Sequence, residues 1–294
     1  MDNMVDNLER FALGNVITEN DAVIIEPNVD DVTLSLEDYS RFKYGDGAVS
    51  RLYGAAIARH LVPLCIEIEG PRDLYVTSSA YKIARPASAS LIEPFVGMAQ
   101  AVTHVYGSRT RIVPFKINRA NLTDGDYAAM TAEERDKVME QNGLTLPKGI
   151  DIEDKHVIAI DDIRVTGAHE VSIDALLRKM GADLVTHAYI LDVPNGKSNP
   201  TLEARINQSS IQDINDLIEV ASVKHFAANA RFGKRILIER PDDIKKFVDS
   251  VSVRITSRIL NDAIGDGLDE MDCYKNGFSA LINAFAERVI PHFD

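Results

Sequence analysis

Two aspartates in succession, Asp161 and Asp162, end the apolar run Val157-Ile-Ala-Ile160, and Thr166-Gly167 follows after three residues. Adjacent carboxylates are acceptors for the hydroxyls of a ligand. The stretch from Ile163 to Ala168 reads as a tight loop into a helix N-terminus. Backbone N–H groups in such a turn hold an anion without needing lysine. Thr166 adds a hydroxyl, and Gly167 permits the positive φ or close approach that the loop requires. In an open parallel sheet, ligands sit at the carboxyl ends of strands. Two acceptors beside a phosphate nest describe a pocket for a ribose 5-phosphate. The bland alternative is a buried strand followed by an acidic helix start.

A second group lies upstream. Asp73-Leu-Tyr-Val-Thr-Ser-Ser-Ala-Tyr-Lys82 is a strand running into a turn of small residues with a lysine. Small residues let backbone approach an oxygen-rich ligand, and Lys82 can neutralise charge on it.

Together these segments resemble the type I phosphoribosyltransferases. Four apolar residues, two acids, three variable positions and Thr-Gly look like that family's motif for phosphoribosyl diphosphate (PRPP). The resemblance implies that Asp161 and Asp162 hold the ribose hydroxyls. It implies that Ile163, Arg164, Val165, Thr166, Gly167, Ala168 and His169 hold the 5-phosphate. Arg164 stands where the family has an apolar or small residue, and His169 where a phosphate-contacting threonine is common. Ala80-Tyr81-Lys82 is similar to the Ala-Tyr-Lys of orotate phosphoribosyltransferases. Ser78, Ser79, Ala80, Tyr81 and Lys82 would then form the diphosphate loop, with Lys82 assisting departure of the diphosphate. Those enzymes continue with glycine where this chain has Ile83, so orotate itself is not implied.

The implied reaction is Mg²⁺-dependent transfer of ribose 5-phosphate to a nucleobase-like nitrogen, with release of diphosphate. Magnesium would be held by the diphosphate and ribose oxygens, with Asp161 and Asp162 contributing through water and no cage from protein alone. A homodimer is expected. Arg164, His169 and the large C-terminal addition also admit a non-catalytic PRPP or nucleotide sensor. A third reading is the reverse reaction, releasing a base from a nucleotide in specialised metabolism.

The elements that position these residues alternate. Ala22–Ile25 reads as an edge strand and Ala48–Leu61 as a helix. Leu74–Thr77 is a strand, Leu91–Val105 a helix, and Arg111–Phe115 a strand. Val157–Ile160 is a strand buried on both faces, Val171–Met180 a helix stopped by Gly181, and Leu184–Leu191 a strand. Such alternation makes a parallel α/β sheet. Residues 40–194 are expected to be the phosphoribosyltransferase core, 1–39 an N-terminal hood segment, and 195–294 a helical extension completing the hood. The long polar insertion from Ile117 to Asp154 takes the place of the family's flexible loop. It holds a capping pair, Thr131 and Glu134, and offers Arg119, Arg135 and Lys137 as candidates to reach the diphosphate.

Composition narrows the partners. A net charge of −13 and a pI near 5.0 repel phosphate backbones, so nucleic acid is not expected. Arg231, Lys234 and Arg235 read as one solvated helical turn. Cys65 and Cys273 give neither a disulfide framework nor metal spacing, which fits a reducing compartment. The acidic first residues lack a signal peptide's blocks, and no apolar run reaches the ~20 residues that span a bilayer. The expected place is the cytoplasm, away from membranes. Lys43-Tyr-Gly-Asp-Gly47 reads either as a turn closing over the ligand or as a surface turn. Asp262, Asp266, Asp269, Glu270 and Asp272 lack the pattern of a calcium loop and read as a solvated interhelical turn.

Overall fold

A computed structural model describes residues 8–20, 22–70, 72–120, 143–194 and 202–290. It divides into two compact units. The first comprises residues 1–35, 50–81 and 88–203, and the second 36–49, 82–87 and 204–294. The expected boundaries at 39 and 194 therefore do not coincide with the units.

The first unit is a six-stranded sheet: β1 (Arg10–Glu19), β2 (Ala22–Pro27), β3 (Leu74–Ser78), β4 (Ile112–Pro114), β5 (His156–Arg164) and β6 (Leu184–Asp192). The strand order is β2-β1-β6-β5-β3-β4. Only the β1–β2 pair is antiparallel; the other four pairings are parallel. Most of the expected hood segment is thus part of the sheet, β1 pairing with β6 from Arg10–His187 to Asn15–Asp192. β5 and β6 are buried along almost their whole length, as strands covered on both faces must be.

Most helices fall where the periodicity puts them. After α1 (Leu36–Lys43), α2 runs from Gly47 to Glu69, eight residues beyond the expected end at Leu61 and straight through Pro63. A short 3₁₀ turn, Ala87–Leu91, leads into α3 (Ile92–Val105). α4 (Ala168–Lys179) begins after Gly167, and Arg178 and Lys179 complete its last turn. Gly181 then turns the chain with φ of 90° against Glu153. Ile173, Leu176 and Leu177 of α4 pack on Val157, Ala159 and Val185, which fixes the sheet face that α4 covers.

The second unit is helical, as the C-terminal composition predicts: α5 (Leu202–Asn207), α6 (Ile214–Ser222), α7 (Ala230–Ile236), α8 (Pro241–Ser250), α9 (Val253–Asp266) and α10 (Asp272–Val289). Asp213 and Asp216 form a capping box at α6, and Asn229 caps α7 by accepting the Phe232 N–H. Pro241 opens α8, and Gly267, with φ of 75°, closes α9. Phe232 packs against Phe226 and Phe247 with ring centroids 4.9 and 5.8 Å apart.

Two internal segments are built into this unit. Ser40 donates to the Asn207 carbonyl, and Asn229 donates to the Lys43 carbonyl. Lys43, Tyr44 and Asp46 are buried, and Asp46 accepts from the Ala48 and Val49 N–H groups at the start of α2. The 43–47 turn is therefore a buried helix junction, not a surface turn. Asp266 accepts from Ile83 N–H, and Asp262 pairs with Arg258, so two acids of the 262–272 group are structural. Among the described residues no helix is long and apolar enough to cross a membrane.

Candidate functional site

β5 does not stop at the acid pair. Its ladder with β6 continues through Ile163–Leu191 to Arg164–Asp192, so Ile163 and Arg164 are strand residues and the loop proper is Val165-Thr166-Gly167. Side chains alternate along a strand. Val157 and Ala159 face α4, so Asp161 shares their face and Asp162 points to the other. An open cleft of about 120 Å³ follows this division. It is lined by Asp161, Ile163, the stretch Arg164–Glu170, Tyr189 and Glu203, all in the first unit, but not by Asp162. Asp162 is only 9% exposed and accepts from the Ile163 N–H. The two carboxylates expected to share one sugar are thus separated by the sheet's pleat.

Asp161 is held in place from two sides. Its Oδ1 accepts from Ser79 Oγ at 2.8 Å and from the Asp162 N–H at 2.9 Å. Ser88 Oγ donates in turn to Ser79 Oγ. Oδ2 faces His169 Nε2 at 3.6 Å, too long for a hydrogen bond. Burial, with the neighbouring Asp162 charge, pushes the Asp161 carboxyl above its ordinary pKa, and His169 offsets part of that rise.

The anion loop has the expected form. Gly167 occupies the N-cap of α4 with φ of 76°, and no side-chain hydrogen bond caps the helix there. Thr166 Oγ1 accepts weakly from Ala168 N–H, leaving its own proton for a ligand. N–H groups of the first helical turn therefore look into the cleft with the positive end of the helix dipole.

Arg164 is not loose in that loop. Its Nε and Nη2 each lie 2.8 Å from an Asp192 oxygen, and Nη1 lies 3.8 Å from where a Cβ on Gly167 would be. Glu170, in the first turn of α4, accepts from Arg10 of β1 and from Tyr189 Oη of β6. Burial alone would raise the Glu170 pKa, but the hydrogen bonds from Arg10 and Tyr189 outweigh it and hold the carboxyl low. Burial and the Glu170 charge push the Tyr189 phenol well above its ordinary value. α4's first turn is thereby tied to two strands.

Glu170, Tyr189 and Glu203 were not singled out from sequence. Tyr189 pairs with Asp161 in the β5–β6 register, so strand parity carried a signal for it; nothing in the sequence marked Glu203. The expected diphosphate loop is partly engaged. Besides Ser79, Ala80 is buried in the core, and Tyr81 N–H donates to the Ile117 carbonyl. Lys82 begins a segment of the second unit. Arg119 N–H donates to the Tyr81 carbonyl, whereas Thr131, Glu134, Arg135 and Lys137 lie outside the described residues.

A family model described as PRTase ComF-like matches residues 23–281. The chain belongs to this family. The match takes in the sheet from β2 onward and the helical unit through most of α10, so both are family features. No curated protein matches. Solved structures similar to this family member include a hypoxanthine phosphoribosyltransferase from Staphylococcus aureus, at 17% identity and a TM-score of 0.32. That match covers 57% of this chain and 72% of the other. A hypoxanthine-guanine phosphoribosyltransferase from L. donovani matches at 13% identity and a TM-score of 0.35, covering 54% and 77%. One from Bacillus anthracis matches at 12% and 0.32, covering 57% and 76%.

Proposed function

We propose that the chain is a phosphoribosyltransferase that binds PRPP in the cleft of Asp161 and transfers its ribose 5-phosphate to a nitrogen heterocycle. The observation that carries this reading is one cleft in which a buried carboxylate faces an uncapped helix N-terminus. The α4 N–H groups, Thr166 and His169 bind the 5-phosphate, and Asp161 Oδ2 accepts from a ribose hydroxyl. Asp162 acts from the opposite face by fixing the end of β5. Cleavage of the C1–oxygen bond passes through an oxocarbenium-like state, so the protein mainly positions the ligand and neutralises charge.

Among the described residues no three His, Cys, Asp or Glu side chains form a metal site. The Oδ2 of Asp161 nonetheless suits a hard cation carried in on the ligand. Mg²⁺ would neutralise the departing diphosphate, with Asp161 as its protein partner in the cleft; Asp162, on the other face of the sheet, does not reach it. A homodimer belongs to the same proposal.

A second reading, a non-catalytic PRPP or nucleotide sensor, has its own support. Ser79 Oγ and the Tyr81 N–H, two donors expected on the diphosphate, are already engaged within the protein. Calorimetry with PRPP, with and without Mg²⁺, tests the shared binding claim. Assay of diphosphate release over a panel of purine, pyrimidine and pyridine bases separates the two. Binding with no release by any base favours the sensor, and no binding removes both.

A further inference from the structure

A second opening lies along the flank of α4 that looks toward β1. It is an open groove of about 330 Å³ and shares only Glu170 with the cleft. That volume is in the range of small-molecule sites. Arg10 on β1, His187 on β6 and the helix residues Asp174 and Arg178 supply its polar groups, and Val171 and Ala175 give it an apolar wall.

The polar groups are braced without being used up. Arg10 gives Nε and Nη2 to Glu170, leaving Nη1. Arg178 gives Nε to Asp174, leaving both terminal nitrogens. A guanidinium fixed along one edge presents the other in a set orientation, ready for a carboxylate or phosphate. Between them His187 is 6% exposed, and its Nε2 stands 3.5 Å from Asp174 Oδ1, at the limit of a hydrogen bond, with no closer partner among the described residues. Burial lowers its pKa, so the ring is neutral at pH 7, with one donor and one acceptor nitrogen. A buried polar atom left unmatched costs free energy that a ligand recovers.

Charge narrows the occupant. Glu9 on the same rim joins Glu170 and Asp174, so carboxylates outnumber guanidinium groups and polyanions are repelled. Arg178 lies two helical turns, about 12 Å, along α4 from Glu170, where Arg10 docks. We infer that this groove is a second ligand site, for a small molecule with one anionic group on an aromatic heterocyclic body. A guanidinium takes the anion, His187 hydrogen-bonds the ring edge, and Val171 and Ala175 pack on its face. A nucleoside monophosphate and a heteroaromatic carboxylate share this chemistry.

The test is calorimetric titration of AMP, and separately of nicotinate, into the full chain saturated with PRPP and free of Mg²⁺, so that no transfer occurs. At least one probe binds with one added site per chain. AMP alone identifies a phosphomonoester site, nicotinate alone a carboxylate site. Arg178→Ala and Val171→Ser change exposed side chains without adding a charge to the first turn of α4, so the fold and the cleft tolerate them. Each weakens the probe at least tenfold while leaving PRPP affinity within twofold. The inference is overturned if neither probe binds the PRPP-saturated chain, or if both variants bind the probes as tightly as the parent. Should PRPP itself fail to bind, the proposed function falls. The same two variants, titrated without PRPP, then decide the groove independently.

Discussion

Replacing Asp161 by asparagine should strengthen the empty protein and weaken its complex. Oδ1 is engaged by Ser79 and the Asp162 N–H, so only Oδ2, opposite His169, is left to accept from a ribose hydroxyl. A hydrogen bond to a charged group contributes about 1.5–3 kcal/mol and a neutral one about 0.5–1.5. The difference, ~1–1.5 kcal/mol, is a five- to twelvefold rise in Kd for PRPP or a nucleoside monophosphate. Asp161→Ala, which removes the acceptor outright, should cost about ten- to a hundredfold. Asp162→Asn should change Kd less than threefold, because its carboxylate is not in the cleft.

Stability moves the other way. The folded pKa of Asp161 lies above its ordinary value, so the native state binds more protons than the unfolded one between the two. That contribution is present at low pH and lost as pH rises through the folded pKa. Above that folded pKa the buried carboxylate is a net burden, and Asp161→Asn should raise Tm there and flatten the pH dependence of unfolding. Calorimetric binding and thermal unfolding from pH 4 to 8 measure both effects. Equal loss of affinity in Asp161→Asn and Asp162→Asn, or a fall in Tm for the former, would refute the placement of the two acids on opposite faces or the burial of Asp161.

Three further outcomes are expected. Gly167→Ala forces a left-handed φ on an L-residue without a steric clash, since the nearest atom is Arg164 Nη1 at 3.8 Å. It should cost ~1–2 kcal/mol, seen as a Tm lower by several degrees, and should weaken phosphate-bearing ligands. Gly277→Ala would place its Cβ 1.8 Å from the Leu237 carbonyl, so denaturant unfolding should show a loss of roughly 3 kcal/mol or more. Lys82→Ala should lower turnover at least tenfold, ~1.4 kcal/mol in barrier, while monophosphate affinity in calorimetry stays within twofold. Equal loss of both would make Lys82 structural.

The central motif was legible because its signals are local: an apolar run, two acids, a Thr-Gly turn and a helix that Arg178, Lys179 and Gly181 terminate. What escaped depends on distant partners. The acids looked like the end of β5 because apolar residues stop at Ile160, yet the ladder extends to Arg164 because Leu191 and Asp192 run alongside. That extension puts Asp162 on the far face. β1 was hidden for the same reason, since Arg10–Glu19 becomes a strand by pairing with β6. The helix expected to end at Leu61 runs on through Pro63 to Glu69. The 43–47 turn read as closing over the ligand or as a surface turn, and the 262–272 acids as a solvated turn; only tertiary contacts reveal Asp46 and Asp266 as buried acceptors for backbone N–H groups.

The β1–β6 pairing also sets the order of events on the ribosome. β1 ends at Glu19 and its parallel partner begins only at Leu184, so the long stretch between them is made before the two can pair. At about 5–20 residues per second, that interval is on the order of ten seconds or more. Until then the hairpin of β1 and β2 presents the inner edge of β1 to whatever strand is near, including the same hairpin on a neighbouring nascent chain. Synthesis of β6 removes that hazard by inserting between β1 and β5, which makes the last strand of the sheet to be made the one that joins its two halves.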